Sequence, residues 1–316
     1  MSRLEAGDIA EAWEDLLACH RLVRLVGQAP EYIPKLRSFG LEAQVIDSDQ
    51  ALLTSPALTT TQARQCLSDL DQLPPLASIV EAVDNVSRLE FADCVQWLAR
   101  GRTGVLADLA DEPAQDGNTG QDGRTMLNAV IDWNVVLRMG NKHYDAVVLA
   151  MRIPDYATRS AELKRLSTSK RPPDLPFAVT LEGRLIEKAL TGGRENATRA
   201  AGEVLLVYLA LSFDQAQAAQ DRAHARERLA RIGFALAAYR RARGEYPEEQ
   251  DLLVPGYLSE SLLDSFTDLP FHYRRTDTDG FLLYSVGDNM QDDGGATSDS
   301  RPRADDLAIA VPIVPR

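Results

Sequence analysis

This chain is short of cysteine and histidine, and its positive charges are outnumbered. It holds three cysteines, Cys19, Cys66 and Cys94, with no CxxC pair. An odd, widely spaced set excludes a disulfide framework as the source of stability; it reads as free thiols and allows one bridge at most. The four histidines, His20, His143, His224 and His272, show no HExxH-type ligand spacing. Cys19 and His20 do not form a thiolate couple, because helix neighbours point about 100° apart. They read as a core cysteine beside a surface histidine. Lys and Arg total 34 against 47 Asp and Glu, for a net charge of −13. That excludes nucleic acid as the main partner, since phosphate binding needs a basic face. No apolar run is long. The best, EVLLVYLALSF at 203–213, falls short of the roughly 20 residues of a membrane helix. The acidic, amphipathic N-terminus, MSRLEAGDIAEAWEDLL, is not a secretory signal. Neither GxSxG nor a Walker motif is present, and GRTG at 101–104 lacks the Lys-Ser/Thr ending of a phosphate loop.

What is present is enough for a core. Of 316 residues, 45% are hydrophobic, which suits one large domain or two ordinary ones. Helical spacing covers most of residues 1–220. In 7–29, Ala12, Leu16, Cys19, Val23 and Val26 define one face, Trp13 and Leu17 widen it, and Asp8 with Glu11 offers a capped start. Further helices are expected at 35–53, from TTTQARQ at 59–65, at 75–99 after Pro74–Pro75, and at 125–139, 141–167, 177–190 and 195–219. Pro154 should split the 141–167 stretch. DEPAQDGNTGQDGR at 111–124 and STSKRPPDLP at 167–176 read as loops, and LTGGRE at 190–195 as a glycine cap. Short connections between helices predict a TPR- or solenoid-like array, without a strict repeat.

The character changes near 221. A long helix, with Leu229, Ile232, Leu236 and Tyr239 as its stripe, ends in Arg240, Arg241 and Arg243, then Gly244 and Pro247. FHYRRT, DTDG and GFLLYSV then spell a hairpin, and LAIAVPIV at 307–314 a third strand. The expected fold is therefore mainly α: a helical domain over 1–220, then an α+β module over 221–316 with a three-stranded antiparallel sheet.

The strand GFLLYSVG runs into an acidic loop. Residues 288–306 hold six aspartates, 288, 292, 293, 299, 305 and 306, against Arg301 and Arg303. On spacing alone this reads as a solvated loop or a cation site. Ca²⁺ takes six to eight oxygen ligands, which such loops supply. If the third strand pairs back, Asp305 and Asp306 return to meet Asp292 and Asp293. An EF-hand is excluded, because a loop counted from Asn289 ends on Ser300 rather than Glu.

The run AAYRRARGEYP, DLLVPGYL, LLDSFTDLPFHY, LLYSVG, Asp/Gly loop and ADDLAI, over about 221–314, resembles the globular domain of the major pseudopilins of type II secretion systems. Ser265 stands where that family usually has proline. The resemblance implies a Ca²⁺ site, for which Asp288, Asn289, Asp292, Asp293, Asp305 and Asp306 are the candidates. The N-terminal text, LEAGDIAEAWEDLLACHRLVRLVGQAP with LSDLDQLPPL, is similar to large uncharacterised proteins of planctomycete-type bacteria. Those end in this module and carry an upstream membrane anchor. The expectation is a non-enzymatic interaction or scaffold protein with a protein partner. Its rivals are a secretion-apparatus component and an enzyme with a cleft between helices. Read from Met1 the chain is cytoplasmic; preceded by the upstream segment of the similar proteins, it is extracytoplasmic or membrane-anchored.

Overall fold

The computed structural model describes residues 2–102, 128–167, 177–209, 212–277, 280–297 and 304–312. The expected loop at 111–124 and nearly all of that at 167–176 lie outside them, as do Thr278 and Asp279 of the hairpin turn. The helices are α1 (Ser2–Glu5), α2 (Ile9–Gly27), α3 (Tyr32–Thr54), α4 (Thr60–Asp71), α5 (Ile79–Glu81), a π turn (Ala82–Ser87), α6 (Arg88–Ala99), α7 (Trp133–Met151), α8 (Tyr156–Leu166), α9 (Phe177–Leu209) and α10 (Phe213–Arg243). Three strands follow, β1 (His272–Asp277), β2 (Gly280–Ser285) and β3 (Leu307–Val311). They form one antiparallel sheet in the order β1-β2-β3. The mainly α architecture with a small C-terminal sheet is as the sequence led us to expect, and no strand precedes residue 220 among the described residues. No described helix is long and apolar enough to cross a membrane.

Local chemistry explains several boundaries. Asp8 accepts from the N–H of Glu11 at the start of α2. Thr59 and Gln62 form a reciprocal capping box on α4. Pro154 separates α7 from α8, and Gly193 (φ 70°) interrupts α9. Gly244, with φ 90°, follows α10 in the left-handed region expected of a helix stop. Several boundaries differ from expectation. Residues 74–78 are not helical, and the chain turns helical at Ile79, whose N–H is taken by Gln220 Oε1 at 2.7 Å. Gly140 does not break its helix. A Cβ there would overlap the Phe91 ring, so this glycine lets α6 and α7 approach inside one continuous α7. The first turn of α3 includes Pro34, a position where the missing N–H costs nothing. The final helix starts at Phe213, not 221, because nothing in FDQAQAAQD stops a helix.

The chain divides into two compact units. One comprises Val80–Pro154 and Thr158–Gln215. The other comprises Met1–Ile79, Asp155–Ala157 and Ala216–Arg316. In the second unit one hydrophobic core joins Trp13, Leu17, Leu53 and Leu67 to Leu229, Leu236, Phe281 and Ile309, so the core crosses position 220. Every residue from Ile232 to Ala238 is buried, as in a helix packed on all sides. Phe234 meets Trp13 edge-on at 5.3 Å, while Tyr246 meets Phe281 at 4.9 Å.

Candidate metal centre

The sheet register brings the acidic residues together. Ser285 at the end of β2 pairs with Leu307 at the start of β3. The loop therefore leaves and returns at neighbouring points, which sets Asp288 and Asn289 beside Asp305 and Asp306. The exit is held by Asp264, which is buried. Its carboxylate accepts from Ser285 Oγ (2.9 Å), from the N–H of Val286 (3.3 Å) and from the N–H of Phe266 (3.1 Å). Sequence reading passed over Asp264; its one signal was an acidic residue in an otherwise apolar corner. Gly287, at φ 66°, has to be glycine, since a Cβ would strike the Asp305 carbonyl.

Three of the six expected ligands converge. One oxygen from each of Asp293, Asp305 and Asp306 lies within 4.8 Å of the other two. Asp306 is 1% exposed. Its Oδ2 accepts from the backbone N–H of Asp293 (3.1 Å) and of Gly295 (2.8 Å). Its Oδ1 is buried without a hydrogen-bond partner, as is Asp305 Oδ1. Asn289 ties the loop by giving its N–H to Asp305 Oδ2 (3.0 Å) and its Nδ2 to Asp293 Oδ2 (3.2 Å). Asn289 is thus a brace whose side-chain amide nitrogen faces the cluster, a donor where a cation would need an oxygen.

Two residues are placed otherwise. Asp292 Oδ1 accepts from Tyr284 O–H (2.9 Å) and the N–H of Gly294 (2.9 Å), and its Oδ2 lies 3.8 Å from His272 Nδ1. Period-two alternation puts Tyr284 and His272 on the far side, where their rings stack at 4.8 Å. Asp288 ion-pairs with Arg222 of α10, and its carbonyl accepts from Tyr156 O–H (3.2 Å). Neither belongs to the group of three.

Charge follows geometry. Burial, then repulsion from Asp293 and Asp292, pushes the Asp306 carboxyl up to about 6 against the backbone donors. Burial and Asp293 raise Asp305 in the same direction. Asp292 goes the other way, lowered by the Gly294 N–H and the Tyr284 hydroxyl. Asp305 and Asp306 resist ionisation beside Asp293, and a divalent cation would relieve them. Its ligands would be carboxylate oxygens, the donor set Ca²⁺ prefers.

A second titratable cluster lies in the same unit, between α2 and α3, and reverses an expectation. Cys19 is exposed, while His20 is 1% exposed. Trp13, Leu17, His20, Arg24 and Gly27 follow a four-three-four-three spacing and form the buried stripe of α2. His20 Nδ1 lies 3.1 Å from Glu42 Oε1, and Nε2 3.1 Å from Asp49 Oδ2. Arg24 Nη1 lies 2.8 Å from Glu42 Oε2, and its Nε donates to the Pro74 carbonyl at 2.8 Å. Burial alone would lower the imidazole. The hydrogen bonds and charges of Asp49 and Glu42 outweigh it, and His20 rises to about 9. It is an imidazolium clamped between two carboxylates.

No family model, curated protein or solved structure matches this chain.

Proposed function

We propose that the chain is an interaction or scaffold protein whose C-terminal α+β module is closed by Ca²⁺. The observation that carries the cation reading is the convergence of Asp293, Asp305 and Asp306, with an oxygen of the buried Asp306 left without a donor. Buried carboxylate oxygens are costly unless paired or bound to metal. Asp293, Asp305 and Asp306 would hold the ion, and Asp288, Asn289 and Asp292 are the outer frame of the loop. The sequence resemblance to pseudopilins, whose corresponding loop binds Ca²⁺, supports the same ion. The interaction reading is supported by α2, where Leu22 and Leu25 are 59% and 61% exposed, one turn apart. Adjacent exposed leucines on one helix face favour a partner surface.

The test is thermal unfolding of the full chain in millimolar Ca²⁺ and in EDTA. A ligand bound only by the folded state stabilises it by RT ln(1 + [L]/Kd), about 2.7 kcal/mol at a hundredfold excess over Kd. Ca²⁺ should raise Tm, EDTA should reverse the rise, and Mg²⁺ should do less because it keeps its waters and demands octahedral geometry. Identical melts in Ca²⁺ and EDTA would overturn the proposal and leave a solvated acidic loop.

A further inference from the structure

The outward face of α2 carries charge as well as its two leucines. Glu11, Glu14 and Asp15 make its first half acidic, and its second half bears Arg21 with Leu22 and Leu25. Ala18, exposed like them, lies between the halves. Helical spacing sets Ala18 and Leu25 along the middle of this face, Glu14 and Arg21 together on one flank, and Leu22 on the other. Arg3 pairs with Glu11 and Asp15. Glu14 and Arg21 stand two turns apart, about 10 Å along the axis. Both are exposed, and neither has a hydrogen bond or an ion pair among the described residues. They wall one side of a groove of about 520 Å³ between α2 and α4, with Gln62 and Gln65 on its other side.

A second copy of the same face complements each feature. Laid parallel, two α2 helices would set acidic half against acidic half. Laid antiparallel about a two-fold axis near Ala18, each acidic half meets the other copy's Arg21, Leu22 and Leu25. Such an axis keeps each flank on its own side. Glu14 of one copy therefore stands beside Arg21 of the other, and the pair forms twice. The small Ala18 at the crossing lets the two axes approach to the short end of roughly 8–10 Å. The pairs would form beside the α2–α4 groove, where salt screens them less than on an open surface. We infer that α2 is a homodimer interface: two copies of this chain pack antiparallel through Ala18 and Leu25, with reciprocal Glu14–Arg21 ion pairs. The inference rests on the interaction reading above and names its partner as a second copy. One helix pair is a contact at the small end of specific interfaces, so a micromolar Kd is expected.

Sedimentation equilibrium of the full chain in EDTA, from about 1 μM to about 100 μM, tests it. The mass should rise from one copy to two. Leu25→Glu sets a carboxylate against the partner's acidic half and should weaken the dimer about tenfold or more. Glu14→Arg and Arg21→Glu each turn two attractions into two repulsions and should each weaken it about tenfold. The double variant, Glu14→Arg with Arg21→Glu, exchanges the signs and should restore the wild-type affinity. Damage to the fold would not be repaired in this way. All three positions are exposed, so the far-UV circular dichroism of each variant should match wild type. A single copy at every concentration assigns this face to another occupant or to water and overturns the inference. So does a dimer indifferent to Leu25→Glu, or a double variant that binds no tighter than the single ones. The mass is read in EDTA and the Ca²⁺ melt is read at one fixed concentration. A monomer whose Tm rises with Ca²⁺ loses only this partner, and a dimer whose melt ignores Ca²⁺ loses only the calcium reading.

Discussion

At the α2–α3 cluster, Glu42 and Asp49 are met by an imidazolium and a guanidinium; at the β2–β3 loop, Asp293, Asp305 and Asp306 converge on one another. Both sets lie in the same unit, and Glu42, Asp49 and Asp306 are equally out of water. In the first, two anions face His20 and Arg24 at 2.8–3.1 Å, so charge is balanced inside the fold. In the second, the hydrogen-bond donors to Asp305 and Asp306 are backbone N–H groups, which carry no charge. The difference separates carboxylates paired with cations inside the fold from carboxylates that, on the calcium proposal, a bound cation would pair. Burial is common to both and raises Asp49 as it raises Asp306; what differs is the sign of the neighbours.

The largest effect expected from breaking this comparison is at His20. His20→Ala leaves Glu42 and Asp49 buried with one cation between them. Breaking a buried pair by removing one partner costs roughly 3–5 kcal/mol. Urea unfolding at pH 7 should show that loss; a loss below about 1 kcal/mol would mean the network contributes no more than a surface pair. The wild type carries a milder version of the same test. His20 titrates near 9 in the folded chain, above the ordinary 6.5. Its stabilisation is therefore complete below about pH 6.5, declines as pH rises, and is lost through pH 9. The total is up to about 3 kcal/mol from a displacement of this size. Stability measured by urea from pH 6 to 10 should fall over that window in wild type and not in His20→Ala.

Periodicity made much of the fold legible. It located α2, α3 and α4, the Pro154 break, and the hairpin with its third strand. It failed where a residue's role is set by a distant partner. Gly140 looked like a helix break because its reason, the Phe91 ring, is 49 positions earlier. His20 looked exposed because counting apolar residues skips charged ones, and its partners sit 22 and 29 residues on, in another helix. The core across position 220 was illegible for the same reason: a change of composition along the chain says nothing about which segments fold together. The Asp loop stands between these cases. Two strands pairing in register force their ends together, so the meeting of Asp293 with Asp305 and Asp306 could be anticipated. That Asp292 turns to Tyr284 depends on loop geometry that spacing does not encode.

The smallest expected effect is the sharpest test of the comparison, and it is a change of sign. Asp306→Asn keeps an oxygen to accept from the N–H groups of Asp293 and Gly295, and it removes one charge from the acidic group. In EDTA at neutral pH the wild-type carboxylate is ionised against its preference, since the folded chain holds its pKa at about 6, above the ordinary carboxylate range. For an acid raised in this way the folded state prefers the proton. Chelated wild type should therefore gain stability as pH falls through 6 toward 4, a gain that Asn removes. At pH 7 in EDTA the variant should be as stable as wild type or more so, by about 1 kcal/mol, because repulsion is relieved without loss of a hydrogen bond. In millimolar Ca²⁺ the order should invert, as wild type gains its ligand and the variant does not. Two melting curves for each protein, with and without chelator, read the crossing directly. His20→Ala should show no such crossing, being weaker than wild type under both conditions. If Asp306→Asn instead loses several kcal/mol in EDTA, its carboxylate is structural in the way Glu42 is, and the distinction between the two clusters collapses.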